Sequence, residues 1–131
     1  MRLIKLIIFC LLLSSCEKFG DHRYALNIKN NSSYRIAAYA KYILPDTTLL
    51  SITTPDLEYA NPNNFIEIRD NEVNDEKFER FQTEKLTIFI FSSDTISKYP
   101  WDSIKINYNI LMRYELNKDD YHNMGGIVNY P

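Results

Sequence analysis

The stretch Leu86-Thr87-Ile88-Phe89-Ile90-Phe91 constrains the fold more than any other part of the chain. Successive strand residues point to opposite faces of a sheet. A run that is apolar at both parities, Thr87 excepted, therefore has no face to give to water and predicts a central strand covered on both sides. Such a strand needs a core above it and below it. The 131 residues contain no internal repeat or low-complexity tract and are enough for one domain.

Other strands follow from period-two alternation. Tyr24, Leu26 and Ile28 alternate with Ala25, Asn27 and Lys29, the NNSS stretch at 30–33 turns the chain, and Tyr34, Ile36, Ala38, Ala40 and Tyr42 resume the pattern. This predicts a β-hairpin over residues 24–42 with one buried face. Phe65 to Ile68 form a shorter strand, Ile110 to Leu116 alternate again, and Ile127 to Tyr130 form a last strand. Helical signals are brief. VNDEKFERFQ at 73–82 puts Phe78 and Phe81 on one face, and NKDDYHNMG at 117–125 offers Asn117 as N-cap, acids in its first turn and Gly125 as a stop. Pro100 opens a turn that carries Trp101, but the pattern over 101–107 fits helix and strand alike. The expected fold is mainly β (α+β): an antiparallel β-sandwich-like domain of about seven strands with two or three short helices.

The N-terminus has the three parts of an export signal. Arg2 and Lys5 are followed by the apolar run from Leu6 to Leu13, then by Ser14 and Ser15. The run is well short of the roughly 20 residues that span a bilayer. Leu13-Ser14-Ser15-Cys16 resembles the bacterial lipobox. The resemblance implies a diacylglyceryl group on the Cys16 sulfur, cleavage before Cys16 and a membrane anchor of two or more acyl chains. Each buried methylene of such chains contributes about 0.8 kcal/mol. The expected division is a lipoprotein signal peptide at 1–15, a lipidated tether at 16–23 and one globular β-rich domain at 24–131. Cys10 and Cys16 are the only cysteines, so the processed domain would have neither a thiol nor a disulfide. Loss of Arg2 and Lys5 would leave 13 cations against 17 acids, a net charge of −4 that argues against nucleic acid as a partner.

The turn KNNSSY, the segment YILPDTTL (42–49), KLTIFIFSSDTISKYPW (85–101) and RYELNKDDYHNM with the terminal NYP resemble a family of small Bacteroides-type outer-membrane lipoproteins. That family has no assigned activity, so the resemblance implies compartment and fold but transfers no active site. Gly125-Gly126-Ile127-Val128 departs from it, standing where relatives tend to carry a bulkier strand with tryptophan. The implied location is the outer membrane, lipid-anchored, on either its periplasmic or its cell-surface face. Proteins exported in such bacteria carry O-glycans at Asp, then Ser or Thr, then a methyl-bearing residue. The resemblance therefore points to Thr47, Thr95 and Ser103 as acceptors, ranked in that order by expected exposure. Thr95 is placed in an SSDT turn.

Chemistry-bearing motifs are sparse. His122 with Asp119 and Asp120 is a conceivable metal edge, but no further Cys or His completes a ligand set. DNEVNDE at 70–76 resembles half a calcium loop, yet Asp75 stands where glycine is needed and Phe81 where a bidentate Glu belongs. Neither a metal nor another cofactor is expected. No nucleophile motif or glycine-rich phosphate loop is present. Ten tyrosines and Trp101 are a heavy aromatic load, and Tyr39, Tyr42, Tyr59, Tyr99, Tyr108 and Tyr121 are candidates for a face that binds glycan or protein. Tyrosine also suits half-buried strands. The expected function is a lipid-anchored, non-enzymatic binding, interaction or accessory module with an envelope protein or glycan as partner. The alternatives are a small glycan-directed hydrolase using a carboxylate pair and an immunity or inhibitor lipoprotein.

Overall fold

The computed structural model describes residues 25–43, 49–53, 55–68, 78–79 and 85–131. Among them are seven strands: β1 (Leu26–Asn30), β2 (Ile36–Ile43), β3 (Glu58–Ala60), β4 (Phe65–Ile68), β5 (Lys85–Ser92), β6 (Met112–Leu116) and β7 (Ile127–Tyr130). One sheet has the order β4-β1-β7 and the other β3-β2-β5-β6. Every pairing is antiparallel except that of β1 with β7. The helices are α1 (Ser93–Lys98), α2 (Trp101–Ile106) and α3 (Lys118–Asn123), with a 3-10 turn at Leu49–Ser51. The fold is α+β and mainly β, as the alternation pattern predicts.

β5 is the central strand that its apolar run demands. It pairs with β2 along its whole length, from Ile36 opposite Ser92 to Ile43 opposite Lys85, and with β6 on its other edge. Leu86, Ile88 and Ile90 face the three-stranded sheet and join Leu26, Ile28, Ile66 and Val128 in the larger core cluster. Phe89 and Phe91 face the opposite way, into a second cluster with Leu49, Ile52 and Ile104. The molecule is therefore layered as sheet, sheet and helix. Full burial of a side chain such as Phe89 or Ile90 contributes about 1.5–3 kcal/mol, so the double coverage of this one strand is a large part of the drive to fold. Trp101 closes the second cluster. Its ring meets Phe91 edge-on at 5.7 Å between centroids, and its Nε1 donates to the Ile52 carbonyl at 3.0 Å. The stretch 101–106 is thus a helix, docked by its first residue.

The expected hairpin over 24–42 does not form. β1 and β2 lie in different sheets, and residues 31–35 carry the chain from one sheet to the other. Both strands turn alternate residues toward the same interior, but from opposite sides of it. Alternation reports which face is buried and not which neighbour a strand pairs with, so it cannot separate a hairpin from a crossing. β2 also differs from the expectation of a single buried face, because Ala37 packs in the second cluster while Ala38 packs in the first.

Asn30 holds the crossing. It is fully buried, and its Nδ2 donates to the carbonyls of Tyr34 and Ala60 at 2.8 and 3.2 Å. Its Oδ1 accepts from the amide and hydroxyl of Ser32 at 3.0 and 2.6 Å. At the other end of the sandwich Asn117 is the N-cap of α3, as its sequence predicts, and the structure adds a reciprocal capping box with Asp120. Tyr121 of α3 is buried against Phe78, and its hydroxyl donates to the Ala25 carbonyl at 3.2 Å. Phe78 and Glu79 are helical, and the remainder of the helix expected over 73–82 lies outside the described residues.

Candidate binding surface

The sandwich has two ends of different character. β1, where the described domain begins, starts at the end that carries α3 and Gly126, since the Asn27 amide donates to the Gly126 carbonyl at 2.8 Å. The other end collects the 31–35 crossing, the 61–64 turn, the Ser92–Ser93 junction of β5 with α1, and Tyr130. Strand direction fixes this arrangement: β1 and β7 run toward that end, and β4 and β6 start from it.

Among the described residues, exposed aromatic rings concentrate at the end opposite α3. Tyr34, Tyr59, Phe65 and Tyr99 are 43%, 39%, 52% and 44% exposed. Three of these rings carry a cation: Lys29 Nζ lies 5.9 Å from the Phe65 centroid, the Arg35 guanidinium 4.8 Å from Tyr59, and Lys98 Nζ 5.4 Å from Tyr99. Tyr34 is joined to Tyr130 through their hydroxyls at 2.5 Å. Burial, then the Tyr34 hydrogen bond, holds the Tyr130 phenol well above its usual range.

A cleft of about 330 Å³ opens beside this end between α1 and the 109–111 segment, lined by Ser92, Thr95, Tyr99, Asn109, Ile110 and Leu111. Ser92 is the N-terminal boundary residue of α1 but makes no side-chain cap, so its hydroxyl is not spent on the helix. The 109–111 wall is set by a left-handed residue, Tyr108, at φ 50°. That conformation is costly for a bulky side chain. It is held by Tyr108 N–H to the Lys105 carbonyl at 3.2 Å, Asn109 N–H to the Ile104 carbonyl at 3.0 Å, and Arg113 Nη1 donating to the Tyr108 hydroxyl at 3.4 Å.

The residues singled out by sequence scatter over this frame. Cys16 and Thr47 lie outside the described residues. Thr95 is expected in an SSDT turn but lies instead in the first turn of α1, half-buried on the cleft wall. The SSDT stretch reads as a turn from its Ser and Asp, yet those residues equally begin helices. Ser103 sits half-buried within α2, where its carbonyl accepts from Asn107. The six-tyrosine face is not assembled. Tyr121 belongs to the core near the opposite end, Tyr39 is half-buried against the second cluster, and the Tyr42 side chain lies outside the described residues. Only Tyr59, Tyr99 and Tyr108 are exposed. Among the described residues, no three His, Cys, Asp or Glu side chains converge as a metal site. His122 packs edge-on against Tyr121, with ring centroids 5.5 Å apart.

Sequence reasoning missed Phe65, Ser92 and Asn109. For Phe65 a signal existed, because Ile66 and Ile68 face inward and Phe65 has the opposite parity. Nothing local marks Ser92 and Asn109, which are far apart in the chain. Comparison with known protein families, with curated proteins and with solved structures finds no match.

Proposed function

We propose that the protein is a lipid-anchored binding module of the cell envelope, tethered through Cys16 and presenting the end of the sandwich opposite α3 to its partner. The observation that carries this reading is the polarity of the fold. The chain enters the domain at the α3 end, whereas the exposed aromatic rings and the cleft collect at the other. Eight residues separate Cys16 from Ala25. Fully extended, they reach no more than roughly 30 Å, so the α3 end is the one held toward a bilayer.

The cleft lining supports binding rather than glycan hydrolysis. Its side chains are hydroxyl, phenol, amide and aliphatic, with no carboxylate among them. Hydrolysis by the usual route needs two carboxyl groups flanking the scissile bond. Fractionation tests the anchor. The wild-type protein should sediment with membranes, and Cys16→Ala should leave unprocessed precursor lacking the diacylglyceryl thioether. Release of wild-type protein by salt alone contradicts the reading.

A further inference from the structure

We infer that the cleft between α1 and the 109–111 segment is a subsite for an uncharged saccharide, with a sugar ring set against Tyr99 and its hydroxyls taken by Ser92, Thr95 and Asn109. This rests on the binding-module reading and adds the class of ligand to it.

The lining makes the chemical argument. Ser92 and Thr95 each offer a hydroxyl that both donates and accepts, and Asn109 offers a donor and an acceptor on one planar group. Sugar hydroxyls have the same dual capacity, so each can bond without leaving a partner unsatisfied. No hydrogen bond within the described residues consumes these three side chains, and that of Ser92 is released from capping by the geometry of α1. Tyr99, Ile110 and Leu111 supply apolar area beside them. A sugar has the same division, with C–H groups on one face of the ring and hydroxyls around its edge, and an aromatic ring complements the C–H face.

Charge and size narrow the class. None of the six lining residues is ionisable near neutrality. Lys98 lies over the Tyr99 ring outside this lining, and Asp94, in the first turn of the same helix, carries the opposite sign. A phosphate or carboxylate ligand would enter without a dedicated counter-charge, whereas a neutral polyol needs none. A volume of about 330 Å³ is at the small end for ligand sites and suits one or two rings. The left-handed backbone at Tyr108 agrees with a built wall, since strain of this kind collects where a surface must be held in shape.

The test uses the mature lipoprotein from native membranes in a detergent without a sugar headgroup. Saturation-transfer NMR is run against the neutral methyl glycosides of glucose, galactose, mannose and N-acetylglucosamine and against cellobiose and maltose, with methyl glucuronide as the charged comparison. At least one neutral saccharide should bind, more tightly than the glucuronide. Tyr99→Ala and Asn109→Ala should each weaken it by about tenfold, while Leu50→Ala, outside the cleft, should not. Thr95→Val, which keeps shape and removes one hydroxyl, gives the same reading should Tyr99→Ala unfold. Absence of binding by every neutral saccharide, or binding indifferent to Asn109→Ala and Thr95→Val, overturns the assignment. In that event the anchored-module reading stands or falls separately, on the state of Cys16.

Discussion

Asn30, at the end of β1, donates its Nδ2 hydrogen to the carbonyl of Ala60, at the end of β3 in the other sheet, across 3.2 Å. A buried side chain of one sheet thus satisfies the backbone of the other, and the same amide also holds the Tyr34 carbonyl. Buried polar groups lose far more when a partner is removed than they gain when it is present. Asn30→Ala should therefore cost about 2–4 kcal/mol in denaturant unfolding. Asn30→Asp should cost more at neutral pH, because a carboxylate would replace the donor that faces two carbonyl oxygens. A loss below about 1 kcal/mol for Asn30→Ala would mean that water replaces the amide without penalty.

Phe89 tests the layered core. It is fully buried on the helical side of β5, stacked 6.5 Å from Phe91 between centroids. Phe89→Ala should lower unfolding free energy by about 3–5 kcal/mol. Ile106→Ala, at a side chain 74% exposed, should change it by less than about 0.5 kcal/mol. Equal effects at the two positions would contradict the double coverage of β5.

The two glycines after α3 should respond differently. Both have left-handed φ, 61° at Gly125 and 71° at Gly126. A Cβ at Gly125 meets nothing within 4 Å, so Gly125→Ala should cost only the backbone term of about 1–2 kcal/mol. At Gly126 the same atom would lie 2.9 Å from the Tyr121 hydroxyl oxygen and 3.1 Å from the Ala25 carbonyl oxygen. Gly126→Ala should be the more damaging of the two in thermal melts, because it also displaces the Tyr121 hydrogen bond to Ala25. The reverse order would show that β7 does not need this close approach.

Alkaline pH should destabilise the domain. Burial, then the hydrogen bond to Tyr34, raises the Tyr130 phenol, and burial raises that of Tyr114. Both stay neutral in the fold after free phenols, with pKa near 10, begin to ionise. A raised folded-state pKa gives stability that is whole below the unfolded value and is lost as pH climbs from there through the folded one. Tm should be level from about pH 7 to 9 and fall above about pH 10, less steeply in Tyr130→Phe. An identical slope in that variant would place the titration elsewhere.

Much of the fold was legible because it depends on local parity. Leu86 to Phe91 announced a strand covered on both faces, Asn117 with Asp120 announced the start of α3, and the strands from Met112 and Ile127 followed from alternation. Partner choice was not legible. The turn around Asn30 has the composition of a hairpin, but β2 pairs with β3 and β5, both distant in sequence, and so lies in the second sheet. The helix at 101–106 was undecided for a related reason, since its docking depends on Trp101 reaching the Ile52 carbonyl. The cleft was hidden because its polar groups come from two separate segments, the start of α1 and residues 109–111, and form no motif. Tyr121, read as a surface tyrosine, is buried because α3 turns it toward Phe78 and Ala25.

The central claim, a binding domain tethered through lipid at Cys16, is tested most directly by the mass of the N-terminal peptide of the protein extracted from native membranes. The account predicts a peptide that begins at Cys16 and carries a diacylglyceryl thioether, with no trace of residues 1–15. An unmodified Cys16, or a mature chain that begins anywhere else, would contradict it.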